Sequence, residues 1–124
     1  MPTDDDRIRD RLLALRAEAV DQAAARGAVV EDVTAARQDS NVDDEHDPEG
    51  VTLAVDRAQA LGLVAAAQAR VVEADAALAR LDAGTYGVCE RCGRPVGADR
   101  LAAHPTARRC VTCQEAVERE QARA

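Results

Sequence analysis

The chain has 124 residues, no Phe, no Trp and one Tyr, so it lacks the aromatic side chains that fill a thick globular core. Its apolar content is mostly Ala, Val and Leu, which suits the thin seam between paired helices in what is at most one small domain. The formal net charge is −7, with −8 in residues 1–50 and +2 in residues 84–124, and this acidic balance argues against duplex DNA as the main partner, because such binding rests on neutralising phosphates.

The first segment reads as a helix from about Asp4 to Gln38. Thr3 or one of Asp4 to Asp6 can cap it, and acids in a first turn suit the helix dipole. Steps of four and three pick out Ile8, Leu12, Leu15, Ala19, Gln22, Arg26, Val29, Val33 and Ala36. That is a heptad seam with two polar interruptions. Gly27 interrupts it at a cost of about 1 kcal/mol relative to Ala.

Residues 39–50 follow, Asp39-Ser-Asn-Val-Asp-Asp-Glu-His-Asp-Pro-Glu-Gly50. Half of them are acids and none is basic. Asn, Ser, Pro and Gly mark a turn region, and it is long for a link between packed helices. The glycine and ligand offsets are wrong for an EF-hand. A solvated, idle surface is the bland reading of such a run. The sharper one is an acidic tip offered to another molecule's metal ion or arginines, with Asp43, Asp44, Asp47 and Glu49 as the residues that would act.

A second long helix is expected from about Thr52 to Ala83. Its seam reads Leu53, Arg57, Ala60, Val64, Ala67, Val71, Ala74, Leu78 and Leu81, and Gly84 is placed to terminate it. Run antiparallel, the two seams pair over their whole length, Ile8 with Leu81 at one end and Val33 with Arg57 at the other. Arg57 then falls near Glu31 and Asp32. Gly27 and Gly62 come level with each other, either as a close-packed point or as two tolerated glycines. The expected fold is therefore mainly α: an antiparallel two-helix coiled-coil hairpin over residues 1–83 with an acidic tip at 39–50. A four-cysteine finger and short terminal helix occupy 84–124.

That last stretch holds every cysteine of the chain, as Cys89-Glu-Arg-Cys92 and Cys110-Val-Thr-Cys113, seventeen residues apart. Two facing Cys-x-x-Cys knuckles make a tetrahedral four-sulfur site suited to Zn²⁺. Gly93 follows the second ligand, where positive φ is often needed. Four thiolates leave no open coordination position, so the metal is expected to hold the fold and not to catalyse. His104 is expected outside the ligand set. Disulfides would need an oxidising compartment. The opening residues MPTDDDR show neither a basic region nor an apolar run of a secretory signal. No apolar run is expected to approach a membrane span, and the chain is read as soluble and cytoplasmic. Asp99 to Ala103 should make one or two helical turns before Pro105, and Val111 to Arg123 a terminal helix. Arg91, Arg94, Arg100, Arg108 and Arg109 would give the finger a basic, mostly solvated flank.

These residues resemble the DksA/TraR family of bacterial transcription factors. The likeness is carried by Gly84-x-Tyr86-Gly87-x-Cys89-x-x-Cys92-Gly93-x-x-Val96, then Arg100-Leu101-x-x-x-Pro105, then Cys110-x-x-Cys113. It is specific over about 30 residues, and the acidic-tipped hairpin extends it less specifically. The resemblance implies a non-enzymatic partner of bacterial RNA polymerase. Members of the family insert the coiled coil into the secondary channel, bring tip acids toward the catalytic Mg²⁺ and remodel promoter complexes. The family tip reads Asp-Pro-Val-Asp-Arg-Ala, whereas this chain has Asp47-Pro48-Glu49-Gly50 and, separately, Val55-Asp56-Arg57-Ala58. Where the branch that answers to ppGpp has basic contacts, this chain has Ala66, Glu73, His104 and Gln114. Direct ppGpp binding is therefore not expected. Two other readings compete: a Gre-like transcript-cleavage factor using the Asp43-Asp44 pair, and a zinc-ribbon adaptor binding protein or nucleic acid through residues 84–124. Strong direct DNA binding is not expected.

Overall fold

The structure, a computed structural model, describes residues 1–39 and 48–124, with the side chains of residues 33, 36–39, 48 and 49 outside that description. Four helices follow in order: α1 (Asp4–Asp39), α2 (Pro48–Ala83), α3 (Ala98–Ala103) and α4 (Val111–Arg123). The two long ones are the arms of the expected hairpin, and the two short ones fall where the sequence placed them. No strand forms among the described residues, and one isolated antiparallel bridge joins Val88 to Pro95.

The ends of the long helices have local causes. Thr3 and Asp6 cap α1 reciprocally: the Thr3 amide donates to Asp6 Oδ2 at 3.0 Å, and the Asp6 amide donates to Thr3 Oγ1 at 3.1 Å. These bonds hold the Asp6 carboxyl below its ordinary value, the Thr3 backbone bond contributing most. The second helix begins at Pro48, four residues before the expected Thr52. Proline suits a first helical position, where an amide donor would have no intrahelical partner. At its other end Gly84 takes φ 77°. The Thr85 amide returns to Arg80 O at 2.9 Å and the Gly84 amide to Leu81 O at 3.2 Å, the paired bonds of a Schellman cap.

The chain divides into two compact units, one of residues 1–15 and 73–124, the other of residues 16–72. Leu12, Ala74, Ala77, Leu81, Cys89 and Val96 are buried in the first, and Ala19, Ala60 and Ala67 in the second. The seam expected on α2 holds throughout: all nine of its positions are buried or half-buried. The seam on α1 does not. Leu15, Arg26 and Val29 are exposed, while Ala23, Gly27, Val30 and Thr34 are half-buried. An undistorted helix drifts by about 20° per heptad, so the buried face passes to the next residue along. Arg57 meets the shifted face, its Nε donating to Thr34 Oγ1 at 3.1 Å, and Arg70 donates to Gln22.

By length and composition α2 contains a stretch, Gly50–Ala83, apolar enough to cross a membrane, with a mean hydropathy of 1.2 in its most apolar window. Residues 58–69 contain no charge, and Leu61, Leu63 and Val64 stand among six alanines there. Ala60 and Ala67 of that run are the buried seam itself.

Candidate metal centre

The first knuckle is a tight turn between the bridge partners Val88 and Pro95. The Cys89 amide donates to Arg94 O at 2.8 Å, and the Gly93 amide donates back to Cys89 O at 3.0 Å. Gly93 closes the turn at φ 74°, as its place after Cys92 anticipates. The second knuckle is built on a helix start. Cys110 is the N-cap of α4 and Cys113 stands in its first turn, with the Gln114 amide bonded to Cys110 O at 2.9 Å. The positive end of α4 thus lies beside two of the sulfurs. One backbone bond ties the knuckles together, Glu90 N to Arg108 O at 2.9 Å.

The ligand atoms of Cys89, Cys92, Cys110 and Cys113 all lie within 4.8 Å of one another, and Cys92 Sγ is 3.9 Å from Cys110 Sγ. A tetrahedral zinc with bonds of about 2.3 Å sets sulfurs about 3.8 Å apart, so the cluster fits one such ion. The thiols also need a cation. Backbone amides, that of Cys92 first, draw Cys89 down to about 6, while the neighbouring sulfurs, Cys110 foremost, push Cys113 up to about 12. Four adjacent sulfurs resist ionising together unless a positive ion sits among them. Cys89 is buried and Cys92 exposed. His104 ends α3 and stands outside the cluster.

The arginines of the finger are more committed than the sequence indicated. Arg91 pairs with Glu120 of α4 at 2.7 Å, which holds the Glu120 carboxyl below its ordinary value. Glu90 receives Arg109, with Arg108 at 4.0 Å. Arg109 Nε also donates to Gln114 Oε1 at 3.0 Å, and Arg100 Nε to Arg109 O at 2.8 Å. Glu90, which the sequence reading did not single out, is the acceptor that gathers Arg108 and Arg109; its place between Cys89 and Cys92 was the available signal. A cavity of about 360 Å³ opens beside this network, lined among others by Glu73, Arg100, His104, Arg108, Gln114 and Glu118. Of the proposed tip residues, Asp43, Asp44 and Asp47 lie outside the described residues. Glu49 belongs to the first turn of α2, its side chain likewise undescribed.

Residues 84–119 match the prokaryotic dksA/traR C4-type zinc finger family. An uncharacterized protein of Aquifex aeolicus is 52% identical over 48 residues, 39% of this chain and 33% of that protein. An RNA polymerase-binding transcription factor DksA of Caulobacter vibrioides is 49% identical over 47 residues, 38% of this chain and 33% of its own length. The match thus spans about a third of these curated relatives. The likeness in fold reaches further. Transcription factor DksA2 of Pseudomonas aeruginosa superposes with a TM-score of 0.75 at 29% identity, over 94% of this chain and 84% of that one. Residues 84–119 thus carry a dksA/traR C4-type zinc finger with its four thiols clustered, and the chain as a whole shares the helical fold of DksA2.

Proposed function

We propose that the chain is a DksA-type regulator that binds bacterial RNA polymerase and modulates initiation by inserting an acidic coiled-coil tip into the secondary channel. The observation that carries this reading is the likeness to DksA2 over 94% of the chain, because it takes in both long helices as well as the finger. In this account residues 1–83 are the hairpin, with Asp43, Asp44, Asp47 and Glu49 acting at a tip within 39–50. Residues 84–124 are the finger, where Cys89, Cys92, Cys110 and Cys113 hold a structural Zn²⁺. The protein acts in the cytoplasm, where its polymerase is, and as a binding factor without chemistry of its own. It does not bind ppGpp directly in this account, because Ala66, Glu73, His104 and Gln114 stand where the ppGpp-responsive branch has basic contacts.

The test is binding of the zinc-loaded protein to purified bacterial RNA polymerase in competition with a known secondary-channel factor. A variant with Asp43, Asp44, Asp47 and Glu49 changed to Ala should compete as well as the wild type yet lose its effect on transcription. Binding that ignores the competitor would sink the channel reading and leave the finger as an adaptor.

A further inference from the structure

The connection from the end of α3 to the second knuckle, residues 102–109, is bonded from three other parts of its compact unit. Arg11 of α1 donates through Nη2 to Ala102 O at 2.6 Å. Tyr86, in the turn after α2, donates its hydroxyl to Pro105 O at 2.6 Å. Arg80, near the end of α2, donates through Nη2 to Thr106 O at 3.2 Å. The acceptors are carbonyls of a short helix end and a loop, which need partners from outside regular structure. Pro105 is buried at the centre of the three. Arg11 is separated from its acceptor by 91 residues of chain, so the bond is a tertiary clasp and not a local turn.

We propose that Arg11, Arg80 and Tyr86 are positioning residues of the metal centre, clamping residues 102–109 as a strap that fixes the second cysteine pair against the first. None of the three touches a sulfur in the contacts described. They act on the segment that ends at Cys110, and through it on where Cys110 and Cys113 stand relative to Cys89 and Cys92. Ligands held in place before binding lose less freedom on metal capture, and outer partners of this kind slow metal loss. The coupling is reciprocal by linkage. If the clasp retains zinc, zinc must in turn steady the part of α1 around Arg11.

This inference rests on the zinc reading of the four thiols, and the experiment separates the two. Zinc-loaded full-length protein is mixed with excess chelator and zinc transfer is followed in time, for the wild type, Arg11→Ala, Arg11→Lys and Tyr86→Phe. Arg11→Ala and Tyr86→Phe should each release zinc several-fold faster, and Arg11→Lys, which keeps one donor, should recover most of the wild-type rate. The cobalt(II)-loaded forms should keep a four-thiolate absorption spectrum, since the ligand set is intact. Hydrogen exchange in the wild type should be slower with zinc than without at the amides of residues 8–15, and that difference should shrink in Arg11→Ala. Wild-type release rates in both Arg11→Ala and Tyr86→Phe overturn the proposal, as does zinc-insensitive exchange at residues 8–15. Failure of the wild type to take up zinc would instead remove the metal reading beneath it.

Discussion

At the scale of single residues, the metal centre shows which chemistry a sequence can reveal. The four ligands were legible because each pair is three residues apart, and Gly93 was legible because its conformation follows from that knuckle. Its φ of 74° makes a sharp expectation. A Cβ at Gly93 would meet no atom within 4 Å, so Gly93→Ala is a purely conformational test. It should destabilise the finger by about 1–2 kcal/mol, the cost of a side chain in the left-handed region, measured as a lowered midpoint of urea unfolding for the zinc-bound protein. The clasp from Arg11 was not legible. Arg11 is exposed on a charged turn of α1, where helical periodicity assigns it to solvent, and its partner is a carbonyl, which no side-chain pattern reports. The finger arginines failed similarly. They were read as a solvated flank, yet Arg91, Arg108 and Arg109 are engaged with Glu120 and Glu90.

At the scale of elements, the helices were legible in place and nearly in length, but the face of α1 was not. Heptad counting assumes 3.5 residues per turn; from Ala23 on, the half-buried positions step by four, three and four, nearer to the undistorted helix. Alanine and Gly27 give that face too little bulk to declare its own phase, whereas Leu53, Val64 and Val71 declare it on α2. The start of α2 was missed because Pro48 and Gly50 were counted as turn residues, although proline is well accommodated at a first helical position. Gly27 and Gly62 lie in these helices with nothing within 4 Å of an added Cβ, which favours tolerated glycines over a close-packed point. Gly27→Ala and Gly62→Ala should therefore each stabilise the protein by up to about 1 kcal/mol, through helix propensity. The measurement is again the urea midpoint. The same substitution that harms Gly93 should help here, and a loss of stability at either helical site would mean a packing contact that the geometry does not contain.

At the scale of the whole molecule, stability should divide along the two compact units. Among the described residues, the unit of residues 16–72 has Ala19, Ala60 and Ala67 as buried hydrophobic residues and no cluster of metal-ligating side chains. The unit of residues 1–15 and 73–124 is different. Its largest fully buried side chains are Leu12 and Cys89, so one of the two is a residue of the thiol cluster. Helices α3 and α4 contain no buried residue, and short helices without a buried face are marginal in water. What holds them is the pair of cysteines at the start of α4, the strap before it and the Arg91–Glu120 bridge. Chelation should therefore remove the helical circular-dichroism signal of α3 and α4, 6 and 13 residues long, while most of the signal from α1 and α2 remains. Mild acid should act in the same direction as chelator, because protons compete with the metal for thiolate. Restoring zinc at neutral pH should restore the signal. A spectrum and melting curve indifferent to chelator would mean that the finger stands on its few buried side chains alone. Zinc would then not be what supplies its missing core.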